Sequence, residues 1–165
     1  MSIPIGLFAV LVAVVAQVSV LPEFSIFGVQ PNLVIALLVA WIAVRPQREA
    51  FFLIPAAGFL LGLMGSQPVG LAMLAFAPLI LMTEVPQLRV VDSELLPALV
   101  LAGAATLVYE TTILLTLAVR GEPIDWLVSV LDVLVPAAIA SVLLLLPVYG
   151  LVRLASTALA GQRAR

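Results

Sequence analysis

The 165-residue chain has no histidine, no cysteine and no lysine, and only 10% of its residues are charged. Without imidazole or thiol there is no ordinary ligand set for zinc, haem or an iron–sulfur cluster, no thiolate nucleophile and no disulfide. Without lysine there is neither a Schiff base nor a phosphate-binding loop ending in Gly-Lys-Ser/Thr. No cofactor is therefore expected, and enzyme readings lose most of their chemistry. The missing cysteine is silent on redox compartment, because a chain buried in lipid has little to cross-link. A net charge of −2 and an isoelectric point near 4.9 speak against nucleic acid as a partner.

What is abundant is apolar surface: 64% of the residues are hydrophobic and the mean hydropathy is +1.31. A soluble domain is about half apolar and about a quarter charged, so this composition lacks the polar coat that water requires. The expectation is an all-α integral membrane protein. The length leaves room for about six or seven spans of ~20 residues with short connections.

Six spans fit the hydropathy and the breaker residues, in one polytopic domain over residues 1–165. The first covers residues 3–21 and is not a convincing signal peptide, since no Lys or Arg precedes it and no small-x-small site closes it. Two prolines, Gly28 and Glu23 then break the helix, and Pro31 suits the first turn of a short second span at residues 31–44. The charged cluster Arg45-Pro46-Gln47-Arg48-Glu49 marks an interface with water. Spans at 50–64 and 69–83 flank the turn Gly65-Ser66-Gln67-Pro68 and are ~22 Å long, short for a ~30 Å hydrocarbon core. Such helices must lie deep in a bundle, or their turn must be recessed and its amides covered by protein or a water pocket. After the polar segment from Glu84 to Glu94 come spans at 95–119 and 126–152, the last carrying Pro136 and Pro147 as expected kinks.

The arginines set the orientation. With the N-terminus inside, cytoplasmic segments hold Arg45, Arg48, Arg89, Arg153, Arg163 and Arg165, and outer loops hold only Arg120. Both termini are then cytoplasmic, with Trp126 at the outer interface. Arg45 and Arg48 read first as topogenic anchors and second as a docking point for anionic lipid or an acidic partner.

Glu110 is the most informative single residue, because an acid in the middle of an apolar helix marks a function or a partner. Thr106, Tyr109, Thr111 and Thr112 surround it, and Asp132 lies at ~9 Å depth in the last span against ~14 Å for Glu110. Two such acids, if they meet across the hairpin, would share one proton. The plainer readings are a neutral carboxyl hydrogen-bonded to Thr or Tyr for Glu110, and a carboxylate reaching toward the outer headgroups for Asp132. Gly58 and Gly62 form a small-xxx-small face, as do Ala9 and Ala13; packing within the chain and docking of another protein both explain such faces.

The central third resembles the rod shape-determining protein MreD family. The resemblance is carried by Phe27-Gly28-Val29-Gln30-Pro31-Asn32-Leu33, by Arg45-Pro46-Gln47-Arg48, and by Gly58-Phe59-Leu60-Leu61-Gly62-Leu63-Met64-Gly65-Ser66-Gln67-Pro68-Val69-Gly70-Leu71, with a weaker echo in Leu146-Pro147-Val148-Tyr149 and Arg153. About 45 residues carry the specific match. Where the family commonly has an acid after Gly-x-x-x, this chain has Gly62, so no role attached to that carboxylate transfers.

The resemblance implies a bundle like the S components of energy-coupling-factor vitamin transporters, set in the bacterial inner membrane. It also implies a noncatalytic partner of MreC in the elongasome, beside a SEDS glycosyltransferase, a class B penicillin-binding transpeptidase and the actin-like MreB. Pro31, Asn32, Gly58, Gly65, Pro68 and Gly70 would then shape the bundle. The alternative is an S component itself, docking a transporter through Ala9 and Ala13 and lining a pocket with Thr106, Tyr109, Glu110 and Asp132. An intramembrane aspartyl enzyme would have only Glu110 and Asp132 to work with.

Overall fold

The computed structural model describes residues 2–23, 29–44, 47–65, 69–83 and 95–163. Every regular element among them is helical: α1 (Ser2–Ser19), a 3-10 turn (Leu21–Glu23), α2 (Leu33–Val44), α3 (Gln47–Met64), α4 (Val69–Thr83), α5 (Leu95–Val119), α6 (Trp126–Ser129), a π-helical turn (Val130–Leu134) and α7 (Val135–Arg163). Arg45, Pro68, Arg89, Arg165 and the segment 84–94 lie outside the described residues.

The organising element is α2. All eight residues from Val34 to Trp41 are buried, so the helix is enclosed on every side, which its uniformly apolar sequence permits. Helices α1, α3, α5 and α7 pack around it, and α4 closes the ring by packing on α3 and α5. Val10 and Val14 of α1, Ile35 and Leu38 of α2, Leu53 and Ile54 of α3, Phe76 of α4 and Leu145 of α7 are among the largest fully enclosed apolar side chains.

Several boundaries differ from the expected spans for identifiable reasons. Helix α2 starts at Leu33, not Pro31, because Asn32 takes the cap position and leaves Pro31 outside. Helix α3 begins at Gln47 and so absorbs Arg48 and Glu49, whose carboxylate suits the positive end of a helix dipole. The last helix continues from residue 152 to Arg163.

The expected disturbance at Pro136 takes the form of the π turn. Val135 N–H bonds back five residues to the Val130 carbonyl, immediately before the proline that has no N–H to give. Pro55, Pro78 and Pro147 sit inside continuous helices.

The exterior of the bundle is apolar along its long helices: Phe8 is 68% exposed, Val100 61% and Leu151 67%, with Phe52, Leu74 and Ile139 also outward. Outward apolar surface this extensive is covered by lipid or by another protein. Leu95–Val119 and Trp126–Thr157 are long and apolar enough to cross a membrane, while Ile3–Ser19, Leu33–Val44 and Val69–Leu81 are shorter apolar helices.

Candidate functional site

The first turn of a helix exposes backbone N–H groups that have no partner within the helix. At the start of α2 that turn is buried, and one local and two distant side chains bond to the backbone there. Asn32, 4% exposed, accepts from Ile35 N–H at 3.0 Å. Gln17 of α1 accepts from Leu33 N–H at 2.6 Å and donates through Nε2 to the Pro31 carbonyl at 3.4 Å. Ser141 of α7, fully buried, accepts from Asn32 N–H at 3.3 Å. The knot therefore ties α1, α2 and α7 at one level. Ser141 lies 15 residues after Trp126, so this level is ~22 Å along the helix from the end of the α5–α6 hairpin.

The other end of α2 carries a second buried polar pair. Trp41 Nε1 donates to Glu49 Oε2 at 3.0 Å, joining the last turn of α2 to the first turn of α3. Gly6 makes room for this corner, since a Cβ there would come within 2.9 Å of Leu53 Cδ1 and 3.1 Å of Trp41 Cζ2. Trp41→Phe removes the donor while keeping an aromatic ring, and is expected to cost about 1–2 kcal/mol, hydrogen bonds to charged groups being the stronger kind. The thermal midpoint of the purified chain in detergent measures this; an unchanged midpoint would show that the bond contributes nothing.

Sequence reading placed neither Gln17 nor Ser141 in a site, nor Trp41 with Glu49. The available signal was that Gln17 and Ser141 are isolated polar residues inside apolar runs. The charge cluster places Glu49 at the water interface, yet it is buried at the head of α3.

The expected small-residue faces are both used within the chain. Gly58 lies against the α4 backbone, where a Cβ would meet Met73 Cα at 2.9 Å and the Ala72 carbonyl at 3.3 Å, and a Cβ at Gly62 would collide with Val69 Cα. Ala13 is buried in the core and Ala9 is half-buried against it. Pro31 is buried beside the knot, and Gly65 is half-buried, its N–H donating to the Leu61 carbonyl at 2.7 Å. Gly70 departs from expectation: it is exposed and a Cβ there would meet nothing within 4 Å, so packing does not require its glycine. Arg48 is exposed.

The anticipated polar group on the last two spans does not converge. Thr106 and Tyr109 turn inward: the Thr106 hydroxyl donates to the Ala102 carbonyl at 2.9 Å, and the Tyr109 ring packs on Phe76 with centroids 5.0 Å apart. Glu110, about 100° further round the helix, is half-buried at the rim. Asp132 is exposed in the π turn, and among the described residues no hydrogen bond joins it to Glu110. The reason is geometric: neighbours in sequence on a helix face different directions, and the two depths differ by ~5 Å.

Pro123, Ile124, Asp125, Trp126 and Leu127 line an open concavity, where the Asp125 carboxylate is occupied in capping α6 by accepting from Leu127 N–H and Val128 N–H. Among the described residues no group of three or more acid, His or Cys side chains converges on a point where a metal ion would sit. No family model matches the chain, and no curated protein or solved structure matches it.

Proposed function

We propose that this chain is a noncatalytic scaffold of the bacterial inner membrane of the MreD type. It binds MreC and helps organise the peptidoglycan elongation complex that sets rod shape. In this reading α1 to α5 each cross or enter the bilayer, α6 and α7 form the sixth span, and both termini are cytoplasmic.

The observation that supports it best is how the polar groups are used. Among the described residues every buried side-chain nitrogen or oxygen has a hydrogen-bond partner. The partners given for Gln17, Asn32, Trp41 and Thr106 come from this chain. The interior holds the bundle together and the apolar exterior is what remains for recognition, which suits a protein that acts by the shape of its lipid-embedded surface. The transport alternative loses support from the same packing, because Ala13 is enclosed within the chain and Thr106 and Tyr109 face the core.

Co-expression with MreC of the same bacterium and purification in mild detergent tests the proposal. The two chains are expected to elute together, and depletion of this chain is expected to turn rods into spheres. Recovery with an ATPase pair and a bound vitamin, or unchanged cell shape after depletion, would overturn it.

A further inference from the structure

Helix α5 carries a carboxyl group, Glu110, that meets no donor among the described residues. The Thr111 hydroxyl donates to the Leu107 carbonyl at 2.6 Å, Thr112 to Val108 at 2.8 Å and Thr116 to Thr112 at 2.9 Å. Each hydroxyl hydrogen is thus used inside the helix, and each oxygen is left with lone pairs alone. Glu110 has no hydrogen bond to any described residue. A carboxyl group this far along an apolar helix is costly unless something gives it a hydrogen bond.

Glu110 and Thr111, both half-buried, flank a side of α5 that carries exposed apolar residues. Leu107, Glu110, Thr111 and Leu114 share one side at the i, i+3, i+4, i+7 spacing, and Val100, Leu107 and Leu115 are exposed along it. Helix α7, which packs on α5, carries Val135, Ile139, Leu143 and Leu146 exposed. The two helices meet closely, since a Cβ on Gly103 would lie 3.4 Å from Val142 Cγ2. That side of α5 is apolar apart from Glu110 and Thr111, while Thr112 and Thr116 lie on the opposite side of the helix.

We propose that this α5–α7 face receives one membrane-spanning helix of a partner protein, and that the helix brings an N–H donor to the Glu110 carboxyl. This rests on the scaffold reading above. Acyl chains carry no donor, and Glu110 lies ~14 Å of helix from Val119 and ~22 Å from Leu95, so a lipid headgroup at either end is a poor match for it. A neighbouring helix reaches that depth without strain. Gln17, Asn32, Ser141 and Asp125 make no such demand, being bonded within the chain, and Asp132 is exposed nearer the end of its helix.

The absence of cysteine makes the test clean. Leu107→Cys and Ile139→Cys on the proposed face, and Phe8→Cys and Leu74→Cys elsewhere, are each co-expressed with the partner carrying single cysteines along its membrane helix. Disulfides are expected from Leu107→Cys and Ile139→Cys and not from the other two. Glu110→Leu is expected to lower partner recovery about tenfold, while Glu110→Gln, which keeps a carbonyl acceptor, retains most of it. Neither substitution is expected to lower the thermal midpoint of the isolated chain, since Glu110 bonds to no described residue within it.

Cross-links from Phe8→Cys or Leu74→Cys alone, or from none of the four, would overturn this docking face while the partner's co-elution leaves the scaffold reading standing. Full recovery by Glu110→Leu would overturn the donor pairing. A wild-type chain that recovers no partner would remove both.

Discussion

Gly62→Leu is expected to separate α3 from α4 and to cost at least ~3 kcal/mol, beyond the usual range for adding methylenes to a packed interior. The site admits no Cβ, because the obstacle is the Val69 backbone and not the tip of a flexible side chain. One turn earlier, Gly58 meets Met73 Cα in the same manner, so the two glycines form a continuous strip of backbone-to-backbone contact. In the membrane setting proposed above this strip matters more than apolar area, since acyl chains solvate a leucine as well as another helix does. Fluorescence-detected size exclusion after a heating series gives the reading. Gly62→Leu should lose its monodisperse peak many degrees below wild type, with Gly58→Leu close behind. Gly70→Leu is the internal control, having open space around the new side chain, and should fall within ~0.5 kcal/mol of wild type. Equal stability of Gly62→Leu and Gly70→Leu would remove the α3–α4 strip from the account.

The second large effect is at the buried head of α2. Asn32→Ala removes the acceptor for Ile35 N–H, which sits where water does not reach, and is expected to cost about 2–3 kcal/mol. Loss of a cap at an exposed helix end is partly repaired by solvent; here the orphaned amide has no such recourse. Gln17→Leu acts on the adjacent amide of Leu33 and on the Pro31 carbonyl, and the pair should be non-additive because both serve one turn. Hydrogen exchange separates this from general loosening. The amides of Leu33 and Ile35 should exchange much faster in the respective variants, while those of α3 and α4 hold. Uniform acceleration across the bundle would show that the knot is not a local lock.

The class of molecule follows from quantities that add up residue by residue. The apolar runs and the prolines and glycines that interrupt them are local, and a helix follows from its own composition. So α4 and α5 begin and end at the expected residues 69–83 and 95–119. The small residues at Gly58 and Gly62 were visible for the same reason, since their spacing needs no partner to be recognised.

Which partner each residue meets is a different kind of quantity. Asn32 reads in sequence as a helix start, yet its amide is satisfied by Ser141, 109 positions later, and Gln17 reaches Leu33 across the first connection. Glu49 looks like part of a solvated charge cluster until Trp41 folds against it. Tyr109 and Glu110 are adjacent in the chain, yet Tyr109 packs on a core aromatic and Glu110 is only half-buried. Hydropathy assigns a residue to the apolar phase but is blind to azimuth and to the identity of the facing helix. In a bundle whose helices are apolar nearly all round, that azimuth is set by close packing and by pairing of the few polar groups, and both exist only once the helices have assembled.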